Sequence, residues 1–320
     1  MFVSVSIPTH NRRRLVVRAV EALLQQDYPA DCYEIIVCCD RCSDGTEQAL
    51  ETASKGRIIV LKAAAPGQTG ALNTAIRSAR GELGIFIDDE VQARPGFISA
   101  HVAAHEREPG AKIAVTGYSP VKLGFRRTPL EKALAKSYER YHEELARREQ
   151  IRPRPKNRPT DLNGANFSIA LVALRELGGF NQIVRHDFEL AARLMGSGFE
   201  LRYCAEAAGD MELGVTSDLL VSRAADWARA DCRLAKEFPW TVPYLPFFAA
   251  FRSRSAEVRW RLRWHGSGVA APLLTLARRL SPDNWFFVRY EYACRYSLAL
   301  REEIGDWEQF VAFGQFGRRN

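Results

Sequence analysis

No apolar stretch in this 320-residue chain reaches the roughly 18 residues that a membrane-spanning helix requires. The longest runs, near Phe247 and Leu273, are short and broken by Pro and Arg. A secretory leader is not legible either, because Met1 runs straight into Phe2-Val3-Ser4-Val5-Ser6-Ile7, an alternating strand pattern without a charged start or a small-residue cleavage site. The expected location is therefore cytoplasmic. Cysteine is present as an odd number, seven, which argues against a disulfide framework and fits reduced thiols. Cys39 and Cys42 form a C-x-x-C, but no second such pair or His pair completes a zinc site, so Cys38 and Cys39 are read as small packing residues. A nucleic-acid-binding fingerprint is missing, as is a basic helix with aromatic stacking positions.

What is present is an ordinary globular composition, 47% apolar and 26% charged, which excludes disorder and leaves room for one large α/β domain or two smaller ones. The net charge of +7, much of it arginine, favours an acidic partner: a nucleotide, a phosphorylated substrate or an anionic membrane surface.

Strands and helices alternate through the first two thirds. Residues 3–7 read as a strand, and 12–26 as a helix with Leu15, Val16, Ala19, Val20, Leu23 and Leu24 on one face. Glu34 to Cys39 is a second strand ending at Asp40, followed by the turn Ser43-Asp44-Gly45 and a helix from Thr46. Strands over 57–61, 83–87 and 112–117, and helices over 71–80 and within 92–112, continue the pattern. Apolar strands separated by helices specify a mainly parallel, doubly wound sheet that binds ligands beyond the carboxyl ends of its strands. Asp40 and Asp88 fall on that edge.

The strand at 83–87 stops at three consecutive carboxylates, Asp88, Asp89 and Glu90. Adjacent carboxylates repel, and oxygen-only ligands with open positions suit magnesium or manganese, which also hold substrate phosphates. A solvated acidic turn is the alternative. Residues 129–150 read as a charged amphipathic helix, and 152–159, with four basic residues among prolines, as a mobile loop that either clamps an anion or serves as a linker. From about Val215 helical periodicity dominates. Residues 211–320 carry 16 Lys plus Arg against 12 Asp plus Glu, with Trp and Phe interspersed, a mixture that suits helices packed on the catalytic domain or peripheral contact with the inner face of a membrane.

Taken in order, Pro8-Thr9-His10-Asn11-Arg12, Asp40 with Ser43-Asp44-Gly45-Thr46, Ala71-Leu72-Asn73 and the acidic triplet resemble the family 2 glycosyltransferases. The resemblance covers roughly residues 3–240. It implies the GT-A fold, a Rossmann-like, mainly parallel sheet flanked by helices, with the catalytic domain over 1–214 (nucleotide half to 117, acceptor half from 118) and a helical extension over 215–320. It also implies a nucleotide-sugar donor, a divalent cation (Mn2+ or Mg2+) and an inverting transfer. Pro8, Thr9, Asn11, Arg12, Asp40, Gln68, Asn73, Asp88 and Asp89 fall on the donor side, Asp40 being placed to accept an N–H of a uracil-like base, and Asp88 and Glu90 on the metal.

Farther on, Asn163-Gly164-Ala165-Asn166-Phe167-Ser168 and Leu177-Gly178-Gly179-Phe180-Asn181 look like the family's acceptor segment, and His186-Asp187-Phe188-Glu189-Leu190 like its base motif. That places Asp187 as catalytic base and Asn166, His186 and Arg193 on the acceptor side. Three positions depart from the family pattern. His186 replaces an acid, Gln68 replaces a basic residue, and the position of a histidine metal ligand is taken by Met211, flanked by Asp210 and Glu212. His101 and His105, spaced i, i+4, are the nearest histidine pair. Trp260-Arg261-Leu262-Arg263-Trp264 shares only Arg-Trp with the Q-x-x-R-W of processive relatives, so one sugar per encounter is expected. The acceptor is open: a saccharide, a lipid-linked sugar, or a natural product or peptide. The competing readings are a nucleotide- or glycan-binding module without catalysis, and a nucleotidyltransferase.

Overall fold

The strand β1 (Val3–Thr9) is buried along its whole length, as a strand covered on both faces must be. It lies parallel to β2 (Tyr33–Cys39) on one side and to β4 (Leu83–Ile87) on the other, with β3 (Ile59–Lys62) parallel beyond β2. The computed structural model describes residues 1–123, 128–245, 264, 268–281 and 284–305. Among these the chain divides into two units, Met1–Phe125 with Leu134–Leu213, and Arg126–Ala133 with Gly214–Asn320.

In the first unit the strand order is β3-β2-β1-β4-β7-β6-β8-β5, with β5 (Val91–Ala93), β6 (Ile113–Tyr118), β7 (Asn166–Ala170) and β8 (Glu200–Met211). The sheet is parallel as far as β4 and then mixed, because β7 runs antiparallel to both β4 and β6, while β6 and β8 are again parallel. The acceptor-like motif at 163–168 thus supplies a central strand, which the sequence pattern alone did not reveal.

Helices α1 (Arg13–Leu23), α2 (Thr46–Ser54), α3 (Gln68–Ser78), α4 (Phe97–Glu106) and the two-turn α6 (Leu171–Glu176) connect or flank these strands, with α7 (His186–Gly196) leading into β8. Val16, Ala19, Val20 and Leu23 of α1 pack on Val3, Val5 and Ile7 of β1, whereas Ala71, Leu72, Ala75 and Ile76 of α3 join Phe86, Phe167 and Phe180 in a second cluster. Burying Leu and Ile side chains of this kind stabilises by about 1.5–3 kcal/mol each.

The segment expected to be a mobile basic loop is pinned instead. Asn157 exchanges hydrogen bonds with the backbone of Leu201 (2.7 and 2.9 Å), and Arg154 donates to the Leu201 carbonyl and pairs with Glu149 and Glu200. Arg158 pairs with Glu144, and the Lys156 carbonyl accepts from Arg148. The prolines do exclude regular structure up to a 3-10 turn at Pro159–Asp161. Arg154 and Arg158, however, already serve protein carboxylates, and Arg152 donates to the carbonyls of Glu149 and Ile151.

The second unit is helical: α8 (Ser217–Ser222), α9 (Ala224–Glu237), α10 (Ala270–Leu280) and α11 (Trp285–Ile304), with a 3-10 turn at Pro239–Tyr244. Ala224, Ala228 and Cys232 of α9 pack on Tyr296, Ala299 and Leu300 of α11. The buried Glu291 of α11 takes Arg278 of α10 at 2.6 Å and Arg295 at 2.9 Å. The helix α5 (Pro129–Gln150) begins in this unit and continues in the first. Residues near Phe247, and 260–263 of the Trp260-Arg261-Leu262-Arg263-Trp264 motif, lie outside the described residues.

Candidate active site

Four loops at the carboxyl ends of the parallel strands meet around the acidic triplet. Asp88 to Val91 form a tight turn closed by a bond from Val91 N to Asp88 O (3.0 Å), which carries the chain from β4 to β5. Thr9, the last residue of β1, donates its hydroxyl to Asp89 Oδ2 at 2.7 Å. Arg12, just beyond, places one guanidinium nitrogen, Nη1, 3.0 Å from Asp89 Oδ1 and 2.9 Å from Glu90 Oε2. Burial alone would weaken the hold of Arg12 on its proton, but Asp89 and Glu90 outweigh it and raise its pKa.

Asp89 is 5% exposed, and burial pushes its carboxyl above the usual range despite Arg12 and Thr9. Asp88 keeps some accessible surface but is enclosed by protein, and burial, then Glu90 and Asp89, raise its pKa well above that of an ordinary carboxyl. The hydrogen bond it receives comes from a neutral group, Gln68 Nε2 at 2.8 Å. Gln68 is the first residue of α3 and follows Gly67, whose φ of 85° and freedom from a Cβ suit the turn that starts the helix.

Asp40, at the end of β2, holds that same turn, accepting from Gly67 N at 2.9 Å through Oδ2. Its other oxygen, Oδ1, is buried without a hydrogen-bond partner among the described residues. An unsatisfied buried acceptor costs about 1–3 kcal/mol, so this oxygen is poised for an N–H donor. The neighbouring backbone is fixed by His10, whose Nδ1–H donates to the Asp40 carbonyl at 2.5 Å, and by Asn11, which adopts φ 50° and accepts from Ser43 N at 2.7 Å. Pro8 lies beside Cys38 in the β1–β2 ladder. Asp44 serves the local backbone, accepting from Arg13 N and Thr46 N.

Asp187 is brought to this centre through β7. Asp88 N donates to Ala165 O at 3.1 Å, and the preceding residue, Gly164, lies against Asp187, where a Cβ would come within 3.0 Å of the Asp187 Cβ. A side chain at this position would press on Asp187. Asp187 stands in the first turn of α7, where the helix dipole favours an anion. His186 is buried beside it, its ring edge-on to Phe180 at 5.6 Å, and desolvation lowers its pKa below the usual value although Asp187 and Glu189 pull the other way. Burial thus favours the neutral form of the His186 ring. Tyr138 and Tyr141 of α5 face the same carboxylates. Burial raises both phenols, with Glu90, Asp88 and Asp187 adding at Tyr138, and Asp161 and Asp187 at Tyr141. Neither was legible beforehand, since both sit in a helix whose pattern reads only as amphipathic.

Three expected ligand contacts turn out to be structural. Asn73 exchanges two 2.8 Å bonds with the backbone N and O of Phe180, clamping the Gly179 turn instead of facing the donor pocket. Asn166 is fully buried, with His101 on its Oδ1 (2.9 Å) and its amide on Ala207 O (3.0 Å), so it supports the sheet and not an acceptor. Arg193 spends its guanidinium on Glu189, Leu177 O and Gly179 O. Asn73 and Asn166 lie within the motifs and Arg193 just after one, yet the partners of the two asparagines come from distant chain segments.

Other metal options close in the same way. Glu212 pairs with Arg14 and Arg18, and Asp210 with Arg94. His101 and His105 both bond Ser168 Oγ at 2.9 Å inside the protein, and burial lowers their pKa values to about 3 and about 4. Among the described residues no three His, Cys, Asp or Glu side chains form a self-sufficient metal site. Asp88 and Glu90 nonetheless fit a hard divalent cation that takes its other ligands from a diphosphate and water, because they offer oxygen donors carrying charge that Arg12 only partly offsets.

A sequence model described as glycosyl transferase family 2 matches residues 4–170, just over half of the chain. The uncharacterised glycosyltransferase YfnE of Bacillus subtilis is 32% identical over 114 residues, 34% of this chain and 28% of that protein. An Escherichia coli protein, the UDP-Glc:alpha-D-GlcNAc-diphosphoundecaprenol beta-1,3-glucosyltransferase WfgD, is 33% identical over 89 residues, 28% of this chain and 34% of its own length. The chain thus spans between about a sixth and a third of the length of the curated relatives it matches. Among solved structures, the mannosyltransferase PcManGT from Pyrobaculum calidifontis, in complex with GDP-Man and Mn2+, superposes with a TM-score of 0.58 at 18% identity, covering 94% of this chain and 86% of that one. That likeness shows the fold.

Proposed function

The chain belongs to glycosyl transferase family 2, and from that premise we propose that it transfers a sugar from a nucleotide donor to an acceptor nucleophile with inversion. The observation that carries the reading is the approach of Asp187, across Gly164 and Ala165, to the turn bearing Asp88 and Glu90. In this reading Asp187 is the base and the acidic turn is the diphosphate-holding centre. The Mn2+ of the PcManGT complex, and the oxygen donor set here, support a divalent cation, which Asp88 and Glu90 would hold. When bound, that cation offsets charge on the diphosphate.

The chain's own residues supply the rest. Asp40 Oδ1 accepts an N–H of the base, and we assign UDP because a carboxylate oxygen matches the single imide N–H of uracil. Gln68 orients Asp88, and Thr9 and Arg12 hold Asp89. The Asp187 carboxylate takes the proton of the acceptor hydroxyl as its oxygen bonds to the anomeric carbon, and the carbon–oxygen bond to the diphosphate breaks with its electron pair leaving on the nucleoside diphosphate. One displacement inverts the centre. We assign His186 to the acceptor side, and the identity of the acceptor to the surface around α5 and α7. The missing Gln of Q-x-x-R-W supports one sugar per encounter.

Release of nucleoside diphosphate from UDP- and GDP-sugars, with and without manganese, tests the reading. UDP-sugars are expected to be turned over in the presence of manganese. Intact nucleotide binding without release from any donor would favour the binding-module alternative, and release of pyrophosphate from a nucleoside triphosphate would favour a nucleotidyltransferase.

A further inference from the structure

We propose that Tyr138 is a substrate-binding residue whose hydroxyl hydrogen-bonds the sugar in transit, between the carboxylates assigned to the cation and the assigned base. The role presumes the sugar-transfer reading, since only then does a sugar lie there. Tyr138 stands on the inner face of α5, and three contacts fix that face against the sheet. Tyr203 N, in β8, donates to Glu149 Oε2 at 3.2 Å, Arg148 reaches Asp161 Oδ2 at 3.2 Å, and Ser119 N, just past the end of β6, donates to His142 Nε2 at 3.2 Å. The Tyr118 ring adds an edge-on contact to His142 at 5.0 Å.

These contacts give α5 a direction. Tyr203 is paired with Thr116 in the β6–β8 ladder, so from Glu149 back to His142 the helix passes from the level of Thr116 to that of Ser119, toward the carboxyl end of β6. Because β7 is antiparallel to both β4 and β6, that end lies on the same edge as the acidic turn after β4. Tyr138 comes four residues before His142, on the same face and about 6 Å farther along the axis, which carries it past the last residue of β6 and over that edge. Packing and charge agree with the placement. Tyr138 lies against the core cluster that holds Ile87, Val91 and Ala165, the residues next to the acidic turn and to Gly164. Burial raises the pKa of its phenol, and Glu90, Asp88 and Asp187 add to the rise, so all three carboxylates are within its electrostatic reach.

Chemistry selects the occupant. A phenol is protonated at neutral pH and both donates and accepts, which matches the neutral hydroxyls of a sugar. The diphosphate is drawn to the cation, so the group that reaches from it toward Asp187 is the sugar. Among the described residues the Tyr138 hydroxyl makes no hydrogen bond. Two neighbours hold unspent capacity as well. The Tyr141 hydroxyl, about one turn on, and Asn163 Nδ2, next in sequence to the Gly164 that lies against Asp187, are buried without partners among the described residues. Buried polar groups are ordinarily satisfied, so this end of the sheet suits a hydroxyl-rich ligand.

Calorimetry of Tyr138→Phe with manganese and UDP, UDP-glucose, UDP-galactose or UDP-N-acetylglucosamine tests the contact, because the substitution keeps the ring and removes only the hydroxyl. For whichever UDP-sugar the native chain binds most tightly, a loss of about three- to tenfold is expected, the worth of one neutral hydrogen bond, while UDP affinity stays within about twofold of native. Tyr138→Met serves if Tyr138→Phe disturbs folding, and circular dichroism with an unchanged melting temperature qualifies either variant. A well-folded variant that binds the UDP-sugar as the native chain does overturns the role and leaves Tyr138 as a packing residue, with the sugar-transfer reading intact. An equal loss for UDP and for the UDP-sugar also overturns it, because the contact is then with the nucleoside diphosphate. A native chain that binds none of the three UDP-sugars overturns it together with the UDP donor assignment.

Discussion

Arg12 Nη1 lies 2.9 Å from Glu90 Oε2 while also contacting Asp89, so a single guanidinium nitrogen bridges two of the three consecutive carboxylates. Arg12 thereby stands where a divalent cation would share the load. Removing one partner from a half-buried ion cluster leaves the others uncompensated, at a cost of about 3–5 kcal/mol. Arg12→Gln is expected to lower the melting temperature clearly in metal-free buffer, and manganese to recover more of the loss in the variant than it adds to the native protein. Differential scanning fluorimetry with and without manganese reads this; equal gains in both proteins would separate Arg12 from the metal site.

Asp40 offers a second test, because its two oxygens do different jobs. Asp40→Asn keeps an oxygen for Gly67 N but turns an NH2 toward the base, replacing an acceptor with a donor. A loss of about 1–3 kcal/mol, or roughly 10- to 100-fold in UDP affinity, is expected by calorimetry with little change in thermal stability. Unchanged UDP affinity would place the base elsewhere.

Asn73 should behave in the opposite way. Its two bonds to Phe180 are structural, so Asn73→Ala is expected to cost about 1–3 kcal/mol of stability in urea denaturation while UDP affinity of the folded variant stays near native. A direct donor contact would instead lower UDP affinity.

Acid should unfold the protein from about pH 6.5 downward. Desolvation first, and their mutual repulsion at His101, depress His101 to about 3 and His105 to about 4, and burial likewise brings His142 to about 4. Between those values and the ordinary 6.5 the unfolded chain is protonated and the folded chain is not, so stability is full above pH 6.5 and falls as pH drops. Each such histidine removes up to about 1.4 kcal/mol per pH unit across that window. Melting temperatures measured from pH 8 to about pH 4 check the slope, which His105→Gln is expected to reduce.

The parallel half of the sheet was legible because each strand is a run of apolar residues closed by a turn signal: the expected 3–7, 83–87 and 112–117 differ from Val3–Thr9, Leu83–Ile87 and Ile113–Tyr118 by a residue or two. β7 and β8 were not. Asn166–Ala170 is short and lies inside a motif that reads as a loop, and its antiparallel pairing with β4 depends on partners some 80 residues away in sequence. Within the site, the acidic turn and Asp40 could be found because charge at a strand end is a local feature. The i, i+4 pairing of Arg193 with Glu189 within α7 is equally local and could have been read. The structural duties of Asn73 and Asn166 could not, since Phe180 and His101 become their partners only through the packing of α3 and α4. Arg154 was misread for the same reason: a basic residue among prolines looks solvated until Leu201 and Glu149 are beside it.

The central claim is that Asp187 acts as base at a donor site assembled by other residues. Measuring turnover and UDP affinity side by side for Asp187→Asn tests it most directly, in the presence of manganese and a UDP-sugar that the native protein consumes. The account predicts a fall in kcat of about a hundredfold or more with UDP affinity within about twofold of native. A variant that turns over at the native rate would contradict it.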